Sequence, residues 1–381
     1  MEFIIDNFML ITWKHLVMYA VGIILIYLAI KKDYEPSLLL PMGFGAILVN
    51  LPLSGAINQI MPGIGEVTGP IEWLYKTGIE ASEIMPLLLF IGIGAMIDFS
   101  PLLSRPVFFL FGAAASFGIF ATITLSVLMG FNLNDAAAIG IIGAADGPTT
   151  ILAAQILKSN YVGPILITAF SYMALVPIIQ PVTINLLTTR KERMIRMAPV
   201  EDRKIPKALK IIFPILVTVI VGIIAPIAVS LIGFLMFGNL IRECTVLNSL
   251  SETAQKTLAN IITLLLGLTV AFTLKAEKFI QVETIKILFL GLFAFVVNTG
   301  GGVIFAKILN LFLKTKINPM IGATGISAFP MSARVIQKMA LKEDSENFLL
   351  MHAVSANVSG QIASVAASGL VLSLIMRYLG Q

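Results

Sequence analysis

Eleven apolar runs separated by polar stretches constrain this chain more than any other feature. They cover residues 16–30, 37–53, 84–99, 107–131, 136–157, 162–187, 208–237, 257–274, 285–313, 317–333 and 347–375. A helix needs about 20 apolar residues to cross the hydrocarbon core of a bilayer. Several runs are shorter, and these are expected to be tilted, half-buried or re-entrant. Only 12% of residues are charged, against about 25% in soluble domains, and the mean hydropathy is +0.95. The expected fold is an all-α polytopic membrane protein with about 9–11 membrane segments.

The single Cys244 excludes a disulfide framework within the chain. With only His15 and His352 beside it, no transition-metal site is expected. The net charge of +5 reads as membrane orientation rather than nucleic-acid binding, because the basic residues gather in one loop, 188–210. That loop holds Arg190, Lys191, Arg193, Arg196, Arg203, Lys204, Lys207 and Lys210 against Glu192, Glu201 and Asp202. The positive-inside rule places it in the cytoplasm. Linker 54–83, with Glu66, Glu72, Glu80 and Glu83 against Lys76, then falls outside, and Lys31 and Lys32 fall inside. The opening stretch, with Glu2 and Asp6, lacks the basic cluster of a cleaved signal peptide.

Counting crossings from residue 84 exposes a conflict. If each of the four runs up to Leu187 crosses once, loop 188–210 ends on the same side as linker 54–83. A broken or re-entrant hairpin at 136–157 restores the parity. That run contains "GAADGPT" (143–149), whose glycines and proline also argue against a plain helix. A second broken element is expected at 317–335, "INPMIGATGISAFPMSARV". Aligning "IIGAAD" with "MIGATG" carries position 143 to 322, an offset of 179; aligning "LLLFIGIGAMIDF" with "LLLGLTVAFTL" carries 87 to 264, an offset of 177. These offsets divide the chain into an N-terminal helix (1–36), a first repeat (37–190), a basic cytoplasmic linker (191–207) and a second repeat (208–381). Related halves with broken helices at matching positions point to a transport site between them.

Asp146 is the only charge in its apolar neighbourhood. A carboxylate near the bilayer centre costs several kcal/mol unless it is paired, protonated or bound to a cation. Gly143 and Gly147 let the backbone open and Pro148 removes a donor, which frees carbonyl oxygens to turn toward a site. A carboxylate with loose carbonyls makes a hard oxygen cage suited to an alkali cation or a proton. The plainer alternative is an aspartate that pins two helices together. Asp98, at the end of its run, reads as interfacial.

The second element supplies Asn318, Ser327 and Ser332 as neutral oxygen ligands, and Arg334 as a permanent cation able to hold an anionic substrate, to counterbalance Asp146 when no ion is present, or to snorkel at an interface. Downstream, Ser355, Ser359 and Gln361 read as interhelical glue, whereas the amide oxygen of Asn357 would complete a cage around Asp146. "NTGGGV" (298–303), with Asn298, reads as a hinge or a ligand-bearing segment. Tyr172, in a proline-interrupted helix, is a buried phenol that can donate a proton or simply bond to one partner.

Together "GAADGPT", "NTGGGV", "NPMIGATGISAFPMSARV" and "SANVSGQ" resemble the membrane-embedded beta subunit of the sodium-pumping, biotin-dependent carboxylic acid decarboxylases, over essentially the whole chain. That family includes the oxaloacetate, methylmalonyl-CoA, glutaconyl-CoA and malonate systems. The resemblance implies a carboxyltransferase alpha subunit that loads CO2 onto biotin, and a biotin carboxyl carrier subunit that brings carboxybiotin here. It also implies a small membrane subunit of gamma or delta type, a homo-oligomer of the beta subunit, and a multi-pass location in the bacterial inner membrane. Carboxybiotin loses CO2 at this subunit while Na+ is exported. By position, Asp146 matches the family's sodium and proton carboxylate. Asn318, Gly322, Ser327 and Arg334 match its second motif, with Asn357 and Tyr172 as companions. Na+ ligands are thus expected among Asp146, Asn318, Gly322, Ser327 and Asn357. Catalytic roles fall to Asp146, Tyr172 and Arg334, and carboxybiotin contacts to Arg334 and Asn298.

Two other classes compete on the residues alone. A secondary sodium-coupled carboxylate transporter of elevator type shares the repeats and broken helices. An intramembrane aspartyl protease using Asp98 and Asp146 needs two facing aspartates at depth, which the interfacial reading of Asp98 does not offer.

Overall fold

The computed structural model describes residues 9–32, 35–61, 65–198, 205–328 and 330–378. The amino-terminal acids Glu2 and Asp6, and Glu201 to Lys204 of the basic loop, lie outside the described residues. The chain is an all-α polytopic membrane protein; among the described residues its one sheet is a short antiparallel pair, β1 (Gln59–Met61) with β2 (Gly65–Val67). Among the described residues seven helices are long and apolar enough to cross a membrane, and two bent pairs raise the number to nine. This pattern follows from the apolar runs, because in lipid every backbone amide and carbonyl must find its partner within a helix.

The first part of the chain holds α1 (Trp13–Lys32), α2 (Pro36–Val49), α3 (Pro70–Tyr75), α4 (Ile84–Met96) and α5 (Pro106–Leu128). It continues with α6 (Leu133–Ile141), α7 (Gly147–Ile156), α8 (Val162–Ala174) and α9 (Val176–Leu187). A π-helical turn, Lys76–Glu80, follows α3, and this segment meets α4 at 68°. α8 and α9 meet at 71°, where Pro177 follows the junction. The second part holds α10 (Lys207–Ile224), α11 (Val229–Cys244), α12 (Asn248–Leu274), α13 (Val282–Phe312), α14 (Met331–Glu343) and α15 (Leu350–Tyr378).

Helices of the first part pack on helices of the second. α2 lies on α12, and α11 lies on α4; α15 lies on α5, while α8 and α9 lie on α13. Glycines allow the close approach. Gly94 and Gly238 bring α4 and α11 together at Leu235 and Ile91, and Gly45 and Gly267 do the same for α2 and α12 at Ala271 and Leu38. The helix ends match as well. Asn50, after α2, bonds Leu274 O and Ala276 N at 2.8 Å beyond α12, and Arg242 of α11 reaches Met96 O at 2.6 Å at the end of α4.

The element 133–160 is a hairpin whose two ends return to one place. Asp135, near the start of α6, accepts from the Ser159 hydroxyl at 2.6 Å and from Asn160 N at 2.9 Å, beyond the end of α7. The element 317–347 closes in the same manner. Asn318 at its start and Asn347 at its end both donate to Arg193 O, at 2.8 and 3.1 Å. Its second arm, α14, runs to Glu343, beyond the 333 where the apolar run stops. Arg193 belongs to the basic loop, whereas Asp135 sits on the opposite face, near Phe131 and Lys286. The hairpins therefore enter from opposite faces, and their tips meet inside.

The "NTGGGV" segment does not open. α13 runs unbroken through Gly300, Gly301 and Gly302. The glycines there serve close packing instead: Gly302 and Gly322 touch backbone to backbone, leaving no room for a Cβ on either.

Candidate functional site

Each hairpin tip is a local break in helical hydrogen bonding. α6 starts from Asn132, whose side chain accepts from Asp135 N at 2.8 Å. It tightens to a 3-10 turn at Ile142–Ala144, after which Ala145 adopts a left-handed conformation (φ 55°). That conformation costs an alanine about 1–2 kcal/mol, so the turn persists only because its surroundings hold it. Asp146 is extended and precedes α7, with Pro148 in the first turn, where its missing N–H costs nothing. The opposing tip runs from a 3-10 helix, Pro319–Gly325, through Ile326 and Ser327 to Pro330 and α14.

Asp146 is 5% exposed. Its Oδ2 accepts from the Thr149 hydroxyl at 2.6 Å, and its carbonyl accepts from the Thr150 hydroxyl at 2.7 Å. Among the described residues no cationic side chain pairs with it. Asp146 directly precedes α7, at its positive end. Asp146 faces a cavity of about 220 Å³ shared with Ser327, Gln361, Phe170, Asn260 and Glu35. Glu35 and Ser37 stand at the start of α2, beside Lys31 and Lys32, so this cavity runs from the tips toward the basic face.

Most carbonyls freed by the breaks are already held by side chains from other helices. Asn298 of α13 donates to Gly143 O. Asn357 of α15 donates to Thr324 O at 3.1 Å and Ile326 O at 2.7 Å. Gln361 donates to Ser327 O, and the Ser327 hydroxyl contacts Ser364 and donates to Gly360 O. The two tips join directly, Ser327 N donating to Ala144 O at 3.1 Å. The Oδ1 atoms of Asn298 and Asn357 are buried without a partner. Oxygens dominate this site: one carboxylate, hydroxyls, amides and carbonyls, which is the donor set of a hard monovalent cation. Among the described residues no three His, Cys, Asp or Glu side chains cluster to hold a metal.

The sequence-predicted residues divide. Asp146, Ser327, Asn298 and Asn357 come together around the tips. Asn318 sits at the base of its hairpin, accepting from Met320 N at 3.1 Å and donating to Arg193 O and Ile195 O. Gly322 packs against Gly302. Tyr172 donates to Leu288 O at 2.7 Å, and it is the neighbouring Phe170 and Met173 that line the cavity. Arg334 is exposed on α14, whereas Pro330 and Met331 reach the cavity. Asp98 caps Ser100 N at 2.8 Å and lies 3.8 Å from Arg242 at the basic face, as an interfacial residue would.

Sequence reading missed Thr149 and Thr150, whose proximity was visible in "DGPTT", and it gave Gln361 only a packing role. Asn260, Thr263 and Glu35 carried no local signal, because only the packing of α2 and α12 brings them to the cavity.

Comparison with known proteins gives one consistent outcome. Residues 14–375 match the family described as "Na+-transporting oxaloacetate decarboxylase beta subunit". The chain is 46% identical over 376 residues to the methylmalonyl-CoA decarboxylase subunit beta of Propionigenium modestum, covering 94% of each. It is 44% identical over 371 residues to the glutaconyl-CoA decarboxylase subunit beta of Acidaminococcus fermentans, covering 97% of this chain and 96% of the relative. It is 43% identical over 417 residues to the probable oxaloacetate decarboxylase beta chain of Vibrio cholerae, covering 96% of each.

Proposed function

This chain belongs to the beta subunits of the sodium-transporting decarboxylases, and from that premise we propose that it decarboxylates carboxybiotin and spends the reaction on moving Na+ past Asp146, with consumption of a proton. The observation that carries this reading is the state of Asp146: buried, unpaired with any cation among the described residues, and facing a cavity that runs toward the basic face. An ionised acid in that place needs a counter-charge, and Na+ or a proton supplies it.

In the proposed cycle Na+ enters from the basic face and settles against Asp146 and Ser327, with Gln361 and Asn357 behind them. Its arrival displaces a proton from the Asp146 region. In carboxybiotin the N–C bond breaks, CO2 leaves, and the electron pair stays on the biotin nitrogen, which takes up that proton. Leaving water favours this step, because a carboxylate becomes neutral CO2. Arg334, exposed on α14, is proposed to hold the arriving carboxylate. Tyr172 and Asn298 support the site, Asn298 through Gly143 O. Asn318 and Gly322 act by holding the second hairpin in place.

We read the halves 37–190 and 208–381 as inverted repeats, a reading supported by the packing between the halves and the opposed hairpins. Loop 188–210 is assigned to the cytoplasm and the protein to the bacterial inner membrane. The proposed partners are a biotin carboxyl carrier subunit, a carboxyltransferase alpha subunit, a small membrane subunit of gamma or delta type, and further copies of this chain. The alternative, a secondary sodium-coupled transporter, is not favoured by relatives that are decarboxylase subunits.

The test is Asp146→Asn in proteoliposomes reconstituted with the partner subunits. Sodium transport and sodium-dependent decarboxylation of carboxybiotin are both expected to disappear, with elution and helix content unchanged. Sodium-dependent decarboxylation that survives this change ends the proposal.

A further inference from the structure

A second cavity, of about 770 Å³, lies at the opposite face, lined by Glu72, Tyr75, Gln155, Lys158, Tyr161 and Lys275. Across it Gln155 Nε2 donates to the Tyr75 hydroxyl at 2.8 Å. Gln155 is near the end of α7, the arm that begins beside Asp146, so nine residues of helix, about 14 Å, separate the two. Tyr75 belongs to a buried apolar cluster with Ile79, Ile151, Leu166, Phe170 and Leu266. Phe170 and Leu266 also line the inner cavity. The two cavities thus approach the same hairpin arm from opposite faces, and one apolar cluster, read here as a plug, supplies lining residues to both.

Tyr75 is held on the other side of this contact. It is 6% exposed and packs against Phe272, with ring centroids 4.8 Å apart and planes tilted by 39°. One turn before it, Glu72 accepts from Asn58 N at 2.9 Å and pairs with Lys76 at 2.8 Å and Lys275 at 3.7 Å. α3 is therefore tied to the linker and to the end of α12, while Gln155 belongs to the hairpin. The π-helical turn directly after Tyr75 and the 68° bend before α4 interrupt regular helix where such a joint would flex.

We propose that the outer cavity is the exit vestibule for the cation and that the Tyr75–Gln155 pair is its latch, which must part before an ion at Asp146 can reach the opposite face. This rests on the reading of Asp146 as the sodium site. With the latch closed, the ion exchanges with the basic face only; with it open, α7 is free to shift along α3 and the plug loosens.

The test uses Tyr75→Phe and Gln155→Leu, each reconstituted with the partner subunits in proteoliposomes. Two readouts are taken: entry of radioactive sodium without carboxybiotin, and Na+ exported per CO2 released. Passive entry is expected to rise about fivefold, the effect of one lost neutral hydrogen bond, and the ratio to fall while sodium-dependent decarboxylation continues. Adding Asp146→Asn should abolish the passive entry. Unchanged entry and ratio in both variants, or a leak that persists with Asp146→Asn, overturns the latch. Unmodified protein that moves no sodium with carboxybiotin present overturns the sodium-site reading instead.

Discussion

The backbone amide of Ser327 donates to the carbonyl of Ala144 at 3.1 Å, joining the tips of two hairpins that enter from opposite faces. Neither tip makes the site alone. Asp146 comes from one, Ser327 from the other, and Asn298, Asn357 and Gln361 reach in from α13 and α15 to hold their carbonyls. A shift of either hairpin therefore rearranges the oxygens around Asp146 and the cavity it faces.

Thr149 should set sodium affinity without being essential. Its hydroxyl donates to Asp146 Oδ2 at 2.6 Å, and a hydrogen bond to a charged group contributes about 1.5–3 kcal/mol. Thr149→Val keeps the shape and removes the donor. The apparent affinity for Na+ in carboxybiotin decarboxylation is expected to change by about tenfold or more, and Thr149→Ser should restore it. An unaltered sodium dependence in Thr149→Val would show that this bond does not bear on the ion.

Gly322 and Gly302 offer a contrast with Gly301. A Cβ on either of the first two collides with the other's backbone, and neither can retreat within a packed helix. Gly322→Ala is expected to cost about 1–3 kcal/mol, read as a lower melting temperature in detergent. At Gly301 an added Cβ meets only Ala114 O, at 3.4 Å, so Gly301→Ala should melt close to the unmodified protein. Equal melting of the two variants would mean that the backbone contact is not tight.

The clamp at the base of the second hairpin should be sensitive to acid. The Arg196 guanidinium donates to both carboxylate oxygens of Asp344, at 2.6 and 2.9 Å, and holds that carboxyl below its ordinary value. A group with a depressed folded pKa stabilises above its unfolded pKa and loses that contribution as pH falls through the folded value. Protease cleavage within 190–198 is thus expected to accelerate below about pH 4, and Arg196→Ala should cleave fast already at neutral pH. Cleavage of the unmodified protein that stays flat down to about pH 3 counts against the clamp.

The sequence by itself determined that this is a helical membrane protein, that 136–157 does not cross as a plain helix, and that Asp146 stands as a lone carboxylate at that break. Those conclusions needed only local quantities. Apolar run length sets what can span, charge bias sets loop orientation, and a lone carboxylate among glycines and a proline has few stable explanations in lipid. Local reasoning failed at "NTGGGV", where glycines that weaken an isolated helix instead let α13 meet Gly322. It did not show that the Asn318 amide bonds Arg193, Ile195 and Met320 at the hairpin base.

Tertiary structure alone decided which oxygens share the site. Gln361 and Asn260 stand more than a hundred residues from Asp146 in the chain, and nothing in their own neighbourhoods ties them to it. They meet because buried backbone groups at a helix break must find partners. The nearest donors and acceptors lie on helices that only the packing of the two halves brings close.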